Sequence, residues 1–217
     1  MPSVTFEKLS SEKRNRFIEA ALLEFSQHNF EMASINRIIK KLGIARGSVY
    51  QYFEDKVDLW LYLKSYAEQQ KVTYIQAVQR SDYDSFWDYY AAVYESGINF
   101  HIEDPLSSLF LYRVGFKEQS EGIREHLNGW NKRADEMLTL WVEAEREAGT
   151  FSTEVSTPMI VLFLRTMSST IADLIQEKCQ IDFDAKMLKG EALIGSDRRK
   201  ISEAVAELVS LLKKSLT

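Results

Sequence analysis

With 217 residues, 45% of them hydrophobic and 27% charged, the chain can bury one large core or two small ones and has the balance of a globular protein. A formal net charge of −5 counts against a protein that coats nucleic acid over its whole surface, so any contact with a polyanion has to be local. The single cysteine, Cys179, excludes an intramolecular disulfide. No uninterrupted apolar run reaches the roughly 18 residues of a membrane-spanning helix, and the N-terminus lacks the apolar stretch of a signal peptide, so a cytoplasmic location without a membrane is expected.

Only 3 prolines and 9 glycines punctuate the chain, and no alternating strand pattern or repeat occurs. An all-α fold is expected. The first helix is predicted over Ser11–Gln27, with Phe17, Ile18, Ala21, Leu22 and Phe25 as its buried stripe. A second spans Ser34–Leu42, where Ile35, Ile38, Ile39 and Leu42 fall at i, i+3, i+4 and i+7, one helix face. The Ser34 hydroxyl is expected to cap it, and Gly43 to end it in a left-handed conformation. After a three-residue turn, a third helix starts at Arg46 with Val49 and Phe53 inward. Arg46, Ser48, Tyr50, Gln51 and Tyr52 are then free to face outward. Between Glu31 and Phe53 the bases Arg37, Lys40, Lys41 and Arg46 oppose one acid, a local charge of +3.

Such a helix, tight glycine turn and polar helix form a helix-turn-helix pattern. On an isolated helix the same polar face would be read as solvated. In this setting Gln51 suits base edges, Ser48 suits bases or phosphates, and Arg46 suits phosphate or guanine. Lys56, at the start of the next helix, combines an ammonium with free backbone N–H groups.

The segment resembles the DNA-binding region of the TetR family of bacterial transcriptional regulators. The resemblance rests on Ser34, on Ile38-Ile39 with Leu42-Gly43-Ile44, on Gly47-Ser48, Tyr50 and Tyr52-Phe53, and on Lys56. It covers residues 10–65 and departs at Ala45, where the family often has a serine cap. It implies a DNA-binding domain over 1–55 and a helical effector-binding and dimerisation domain over 56–217. It also implies a regulator, most often a repressor, that binds double-stranded operator DNA as a homodimer and is released by a small apolar or aromatic effector. The DNA-binding residues are expected to be Ser34, Asn36, Arg46, Gly47, Ser48, Tyr50, Gln51, Tyr52 and Lys56, with the Tyr50 and Tyr52 hydroxyls on phosphates.

Beyond the motif, Asp55 is expected to cap a helix bearing Leu59, Trp60, Leu63, Tyr66 and Ala67. Ser85–Glu103 carries Phe86, Tyr89, Tyr90, Val93 and Tyr94 at helical spacing. Asp104-Pro105 opens a helix over Leu106–Phe116. A long helix is predicted over Ser120–Ala148, with Ile123, Leu127, Trp130, Ala134, Met137 and Trp141 inward, a solvated acidic face at Glu143, Glu145 and Glu147, and a stop at Gly149. Thr157-Pro158 opens a helix apolar around most of its girth as far as Leu174, which implies burial on two sides. Residues 180–195 read as a loop with at most one helical turn, and Ser196 or Asp197 opens the last helix. These last two long helices are expected to form the dimer interface.

Most central aromatics fit plain core packing. Tyr90, Tyr94, His101, Tyr112 and Trp130 combine an apolar body with a polar tip and are the candidate pocket residues. His28, His101 and His126 lie too far apart in sequence for a metal motif, and no GxSxG, P-loop or dinucleotide-binding pattern is present. Neither a catalytic residue, a metal nor a cofactor is expected.

Overall fold

The computed structural model describes residues 2–195 and 197–217. No strand occurs among them, and the fold is all-α. By its internal contacts the chain forms two compact units. The first takes the chain up to Tyr74 together with Asn99–Arg124 and Phe183–Ile194; the second takes Ile75–Ile98, Glu125–Asp182 and Gly195–Thr217. Compactness and the expected 1–55/56–217 division are thus different partitions of the chain.

The first unit opens with α1 (Val4–Glu7), a single turn capped by the Ser3 hydroxyl. α2 (Ser11–Gln27) follows, with Phe17, Ile18, Ala21, Leu22 and Phe25 buried as the spacing requires. α3 (Ile35–Leu42) and α4 (Arg46–Tyr52) are joined by the turn at Gly43, whose φ of +66° lies in the left-handed region that favours glycine. α5 (Lys56–Ile75) starts where Asp55 Oδ1 accepts the Asp58 N–H at 2.8 Å, and it buries Leu59, Trp60, Leu63 and Ala67.

α6 (Phe86–Glu103) ends in this unit and passes to α7 (Pro105–Tyr112), where Asp104 Oδ1 accepts the Ser107 N–H at 3.2 Å. The single helix expected over 106–116 is instead α7 followed by a π-helical turn, Arg113–Lys117. The cause is long-range. Buried Arg113 donates its guanidinium N–H groups to the Ser26 and Gln27 carbonyls, the orphan acceptors at the end of α2. Buried Glu118 then accepts the Phe30 N–H at 2.8 Å, which fixes the turn after α2.

The expected loop at 180–195 contains α11 (Phe183–Lys189), two turns rather than one, because Phe183 and Met187 have a core to enter. Phe183 sets its ring edge on Tyr112, and Gln27 Nε2 donates to the Leu188 carbonyl at 2.8 Å. Gly190 (φ +71°) passes so close to Leu23 that an added Cβ would lie 2.5 Å from its Cδ1.

The second unit holds the first part of α6, α8 (Arg124–Glu147, entered through the 3-10 turn Glu121–Ile123 of the first unit), α9 (Thr157–Ser169), α10 (Ile171–Cys179) and α12 (Arg198–Leu216). Its core is aromatic: Phe86 contacts Trp87, Tyr90, Trp141 and Phe151 at centroid distances of 5.0–5.4 Å. α12 buries Ile201, Ala204, Val205, Leu208 and Leu212. Ser196 lies outside the described residues, and Asp197 precedes α12 without a side-chain cap bond.

Three expectations change in this unit. Glu145 is buried rather than solvated, because it pairs with Arg80 at 2.6 Å and accepts the Thr150 hydroxyl at 2.8 Å. The α8 stripe is inward only in part: Ile123 is buried and Trp141 packs on Phe86, whereas Ala134 is exposed, Met137 is 73% exposed and its neighbour Leu140 68% exposed. The run Thr157–Cys179 is not buried on two sides either; Met159 and Leu162 are 54% and 47% exposed. By length and composition this run could cross a membrane, a property it shares with core helices of soluble proteins.

Candidate nucleic-acid interface

The head of the first unit is set by an aromatic cluster. Phe6 of α1 lies 5.5 Å from Phe17, 5.5 Å from Tyr52, 5.0 Å from Phe53 and 5.4 Å from Tyr62, ring centroid to centroid. These rings hold α4 against α2 and α5. Ser3 then closes the C-terminal end of α4: its N–H donates to the Tyr52 carbonyl at 2.9 Å and its hydroxyl to the Gln51 carbonyl at 2.5 Å. Ala45 offers no side-chain cap, so the packed end of α4 is the one that anchors the helix.

Glu24 positions α3. This buried carboxylate accepts the Ser34 N–H at 2.8 Å and the Arg37 Nε–H at 2.8 Å, and Arg37 also donates to the Met32 carbonyl. The hydrogen bond to Glu24 raises the Arg37 pKa and the ion pair adds to it, while slight burial opposes both. Two corrections follow. Ser34 enters α3 through its backbone N–H, with no side-chain cap bond. Arg37 is already partnered, so the charge offered outward is smaller than the +3 counted along the chain.

The expected contact residues divide into three groups. Arg46, Gly47, Tyr50 and Gln51 are exposed along α4, with Ser48 half-buried beside them. Ser34, Asn36, Tyr50 and Lys56 line one open cleft of about 520 Å³, together with Glu31–Ala33, Ile35 and Asp55. There the N-terminal turns of α3 and α5 converge on the Tyr50 side chain. Tyr52 differs: its ring is half-buried in the aromatic cluster, 5.8 Å from Phe17, so the hydroxyl alone is left for an outside partner. Lys56 is also less free than its sequence position implies. Its Nζ donates to the Glu31 and Ala33 carbonyls at 3.2 and 3.3 Å and lies 4.6 Å from the Phe30 ring centroid. Lys40 and Lys41, not among the expected contacts, stand exposed on the last turn of α3.

The five candidate pocket residues fall into separate surroundings. Tyr90 and Tyr94, in the second unit, sit edge to face at 5.2 Å, and the Tyr90 hydroxyl meets Ser168 Oγ at 2.8 Å. Burial raises the Tyr94 pKa, and Tyr90 raises it further, so the phenol stays neutral. Trp130, in the same unit, is half-buried near His126. In the first unit, His101 Nδ1 is hydrogen-bonded to Ser108 Oγ, and Tyr112 stacks on Phe116 at 5.0 Å. No group of His, Cys, Asp and Glu able to hold a metal occurs among the described residues.

Residues 17–63 match the family model described as bacterial regulatory proteins, tetR family. A stretch of 56 residues is 43% identical to an HTH-type transcriptional regulator of Staphylococcus aureus strain USA300, covering 26% of this chain; the match spans only 30% of that relative's length. Over its full length the chain superposes on a TetR family transcriptional regulator from Chloroflexus aurantiacus J-10-FL with a TM-score of 0.79 and 23% identity, covering 98% of that chain. FadR from Bacillus subtilis, solved in complex with stearoyl-CoA, gives a TM-score of 0.62 at 15% identity over 90% of this chain and 97% of its own. These two likenesses are of fold, and the relatives are regulators, not enzymes. The head, over residues 17–63, is thus matched in sequence to the tetR family of bacterial regulatory proteins, and the whole chain shares the fold of the neighbours named above.

Proposed function

We propose that this protein is a cytoplasmic, ligand-responsive DNA-binding transcriptional regulator, a repressor that holds a pseudo-palindromic operator as a homodimer and is released by a small apolar or aromatic effector. The observation that carries the reading is the joint presentation of the exposed α4 row and the cleft beside it. Arg46, Tyr50 and Gln51 are exposed on one short helix, an element a major groove admits, while Ser34, Asn36 and Lys56 share a cleft with Tyr50 and are suited to phosphate contacts. Residues 1–55 then serve as the DNA-binding domain and 56–217 as the effector-binding and dimerisation domain.

The dimer reading is supported by the exposed apolar side chains of the second unit. Met137 and Leu140 of α8 and Met159 and Leu162 of α9 form the uncovered surface, whereas α12 spends most of its apolar stripe inside its own unit and adds only Leu211. Two copies would place two α4 helices about one helical turn of DNA apart. Release requires an effector that binds the DNA-incompetent state more tightly than the competent one. The Arg113–Glu118 clasp on the end of α2 offers a route from α7 to the head, and the effector reading is supported by the B. subtilis neighbour of the same fold, which was solved in complex with stearoyl-CoA.

Selection of bound duplexes from a random pool, followed by gel shift at two salt concentrations, tests the DNA reading. A recovered palindrome bound with a steep salt dependence is the expected result; no enrichment would remove it. Light scattering at micromolar concentration tests the dimer, and a monomer mass would count against it.

A further inference from the structure

The turn between α2 and α3 carries Glu31, Met32 and Ala33 of the cleft wall, and a segment far along the chain grips it. Glu118, which is buried, accepts the Phe30 N–H through Oε2 at 2.8 Å. Its Oε1 accepts the N–H groups of Gln119 and Ser120 at 3.1 and 3.0 Å. In the opposite direction Glu31 Oε1 accepts the Glu121 N–H at 3.1 Å. Each segment thus lends a carboxylate to the other's backbone, a reciprocal strap across 88 and 90 residues of sequence. Packing reinforces it: Gly122 stands so close to Phe30 that an added Cβ would lie 3.0 Å from its Cε1.

What the strap holds is the seat of Lys56. Two N–H bonds of the ammonium go to the Glu31 and Ala33 carbonyls, which leaves one for a phosphate oxygen, and Nζ lies over the Phe30 ring. The entry of α3 is held separately, by Glu24 on the Ser34 N–H. Both the backbone of the seat and the ring beneath it are therefore fixed by residues 118–122, which lie outside the 1–55 segment. We infer that Glu118 and Glu31 are positioning residues for the DNA contact: through the bonds to Phe30 and Glu121 they hold the Lys56 ammonium ready for a phosphate. The cleft of the head is then complete only while residues 118–122 are seated. This inference rests on the DNA reading above and adds a control to it. The 3-10 turn that carries Glu121 and Gly122 runs directly into α8 at Arg124, so the cleft answers to the start of a helix that the 1–55 segment does not contain.

Gel shifts of the full-length protein with its selected operator test this, alongside amide hydrogen exchange of the free protein. Glu118→Gln keeps one acceptor oxygen, so either Phe30 or the Gln119–Ser120 pair meets an amide NH2 instead. It should weaken operator binding about fivefold, the worth of one ordinary hydrogen bond, and speed exchange at Phe30 while amides within α2 keep their protection. In a Lys56→Ala background the same substitution should cost less than about twofold, because the group it positions is gone. Glu31→Gln and Glu31→Ala lose the same charge and only the alanine loses the acceptor, so the alanine variant should bind DNA more weakly. Ser120→Ala, which removes a buried hydroxyl without a partner among the described residues, should bind as wild type does. Losses that multiply in the double variant, or equal operator binding by wild type and Glu118→Gln, would overturn the inference, since the carboxylate would then serve the stability of the turn alone. The Glu31 pair, at an exposed position, decides the matter if Glu118→Gln does not fold, and equal binding by its two variants overturns the inference as well. Failure to select any operator removes the regulator reading itself, whereas an operator bound equally by all these variants removes only the positioning role.

Discussion

The head and the α8–α9 side of the second unit both leave surface uncovered, but of opposite kinds. In the head most large apolar side chains are consumed, with Phe6, Phe17, Phe53 and Val49 buried, and the outer face carries Arg46, Gln51, Asn36, Lys40 and Lys41 alongside the exposed Met32 and Tyr50. On α8 and α9 Met137, Leu140, Met159 and Leu162 stay exposed, next to polar groups of which some are paired, as in the Arg165–Asp135 ion pair. A surface on which hydrogen-bonding and charged groups dominate suits a hydrated polyanion. A surface that exposes several large apolar side chains on neighbouring helices suits another protein face. One chain therefore offers two incomplete surfaces that do not compete for the same partner.

The contrast can be broken or sharpened by substitution. The largest effect belongs to Phe6→Ala, which empties the centre of the aromatic cluster and should destabilise the head by about 3–5 kcal/mol in chemical denaturation. If α4 is held chiefly by this cluster, DNA binding falls with it.

Next comes the pH response of the first unit's interior. His101 is held neutral with its pKa near 4, below the ordinary 6.5, so the unfolded chain takes up the proton first as pH falls. Stability contributed by the neutral imidazole is intact above about pH 6.5 and is lost between there and about pH 4, amounting to about 3 kcal/mol at its full extent. His101→Gln should flatten that part of a stability–pH curve, and an unchanged slope would show that other groups set it.

Smaller effects are expected on the outer face. Gln51→Ala should relax selectivity at one base position, worth about 1–3 kcal/mol, in competition binding with single-base operator variants. Arg46→Ala should weaken all sequences alike, by roughly tenfold, and lower the salt slope by about 1. Lys56→Ala should lower it less, because that ammonium is already shared with the Glu31 and Ala33 carbonyls. An Arg46 variant with an unchanged slope would show that the exposed row is solvated rather than engaged.

The head was readable from sequence because its signals are local. The helix spacing of Ile35–Leu42, the left-handed Gly43 and the inward Val49 lie within a few residues of one another and are all present in the structure. What escaped depends on partners far along the chain. α1 is too short to show a period, although Ser3 ahead of Val4 and Phe6 was the available hint. The π turn after α7 exists because Arg113 reaches carbonyls 86 and 87 residues away, and Glu145 is buried because Arg80 lies 65 residues before it. Met137 misled for a different reason: an apolar stripe marks a face that needs covering, and spacing does not say whether the cover comes from the same chain.

The bond from Ser3 to Gln51 spans 48 residues, and this has a consequence for the order of folding. α4 is only seven residues long and lacks a side-chain cap at its start, so on its own it is too short to persist in water. Its last carbonyls are satisfied only when the beginning of the chain returns to meet them, after α2 and α3 have brought the intervening segment together. The helix that carries the outward row is therefore among the last parts of the head to become rigid, and stopped-flow refolding should show its protection arriving after that of α2.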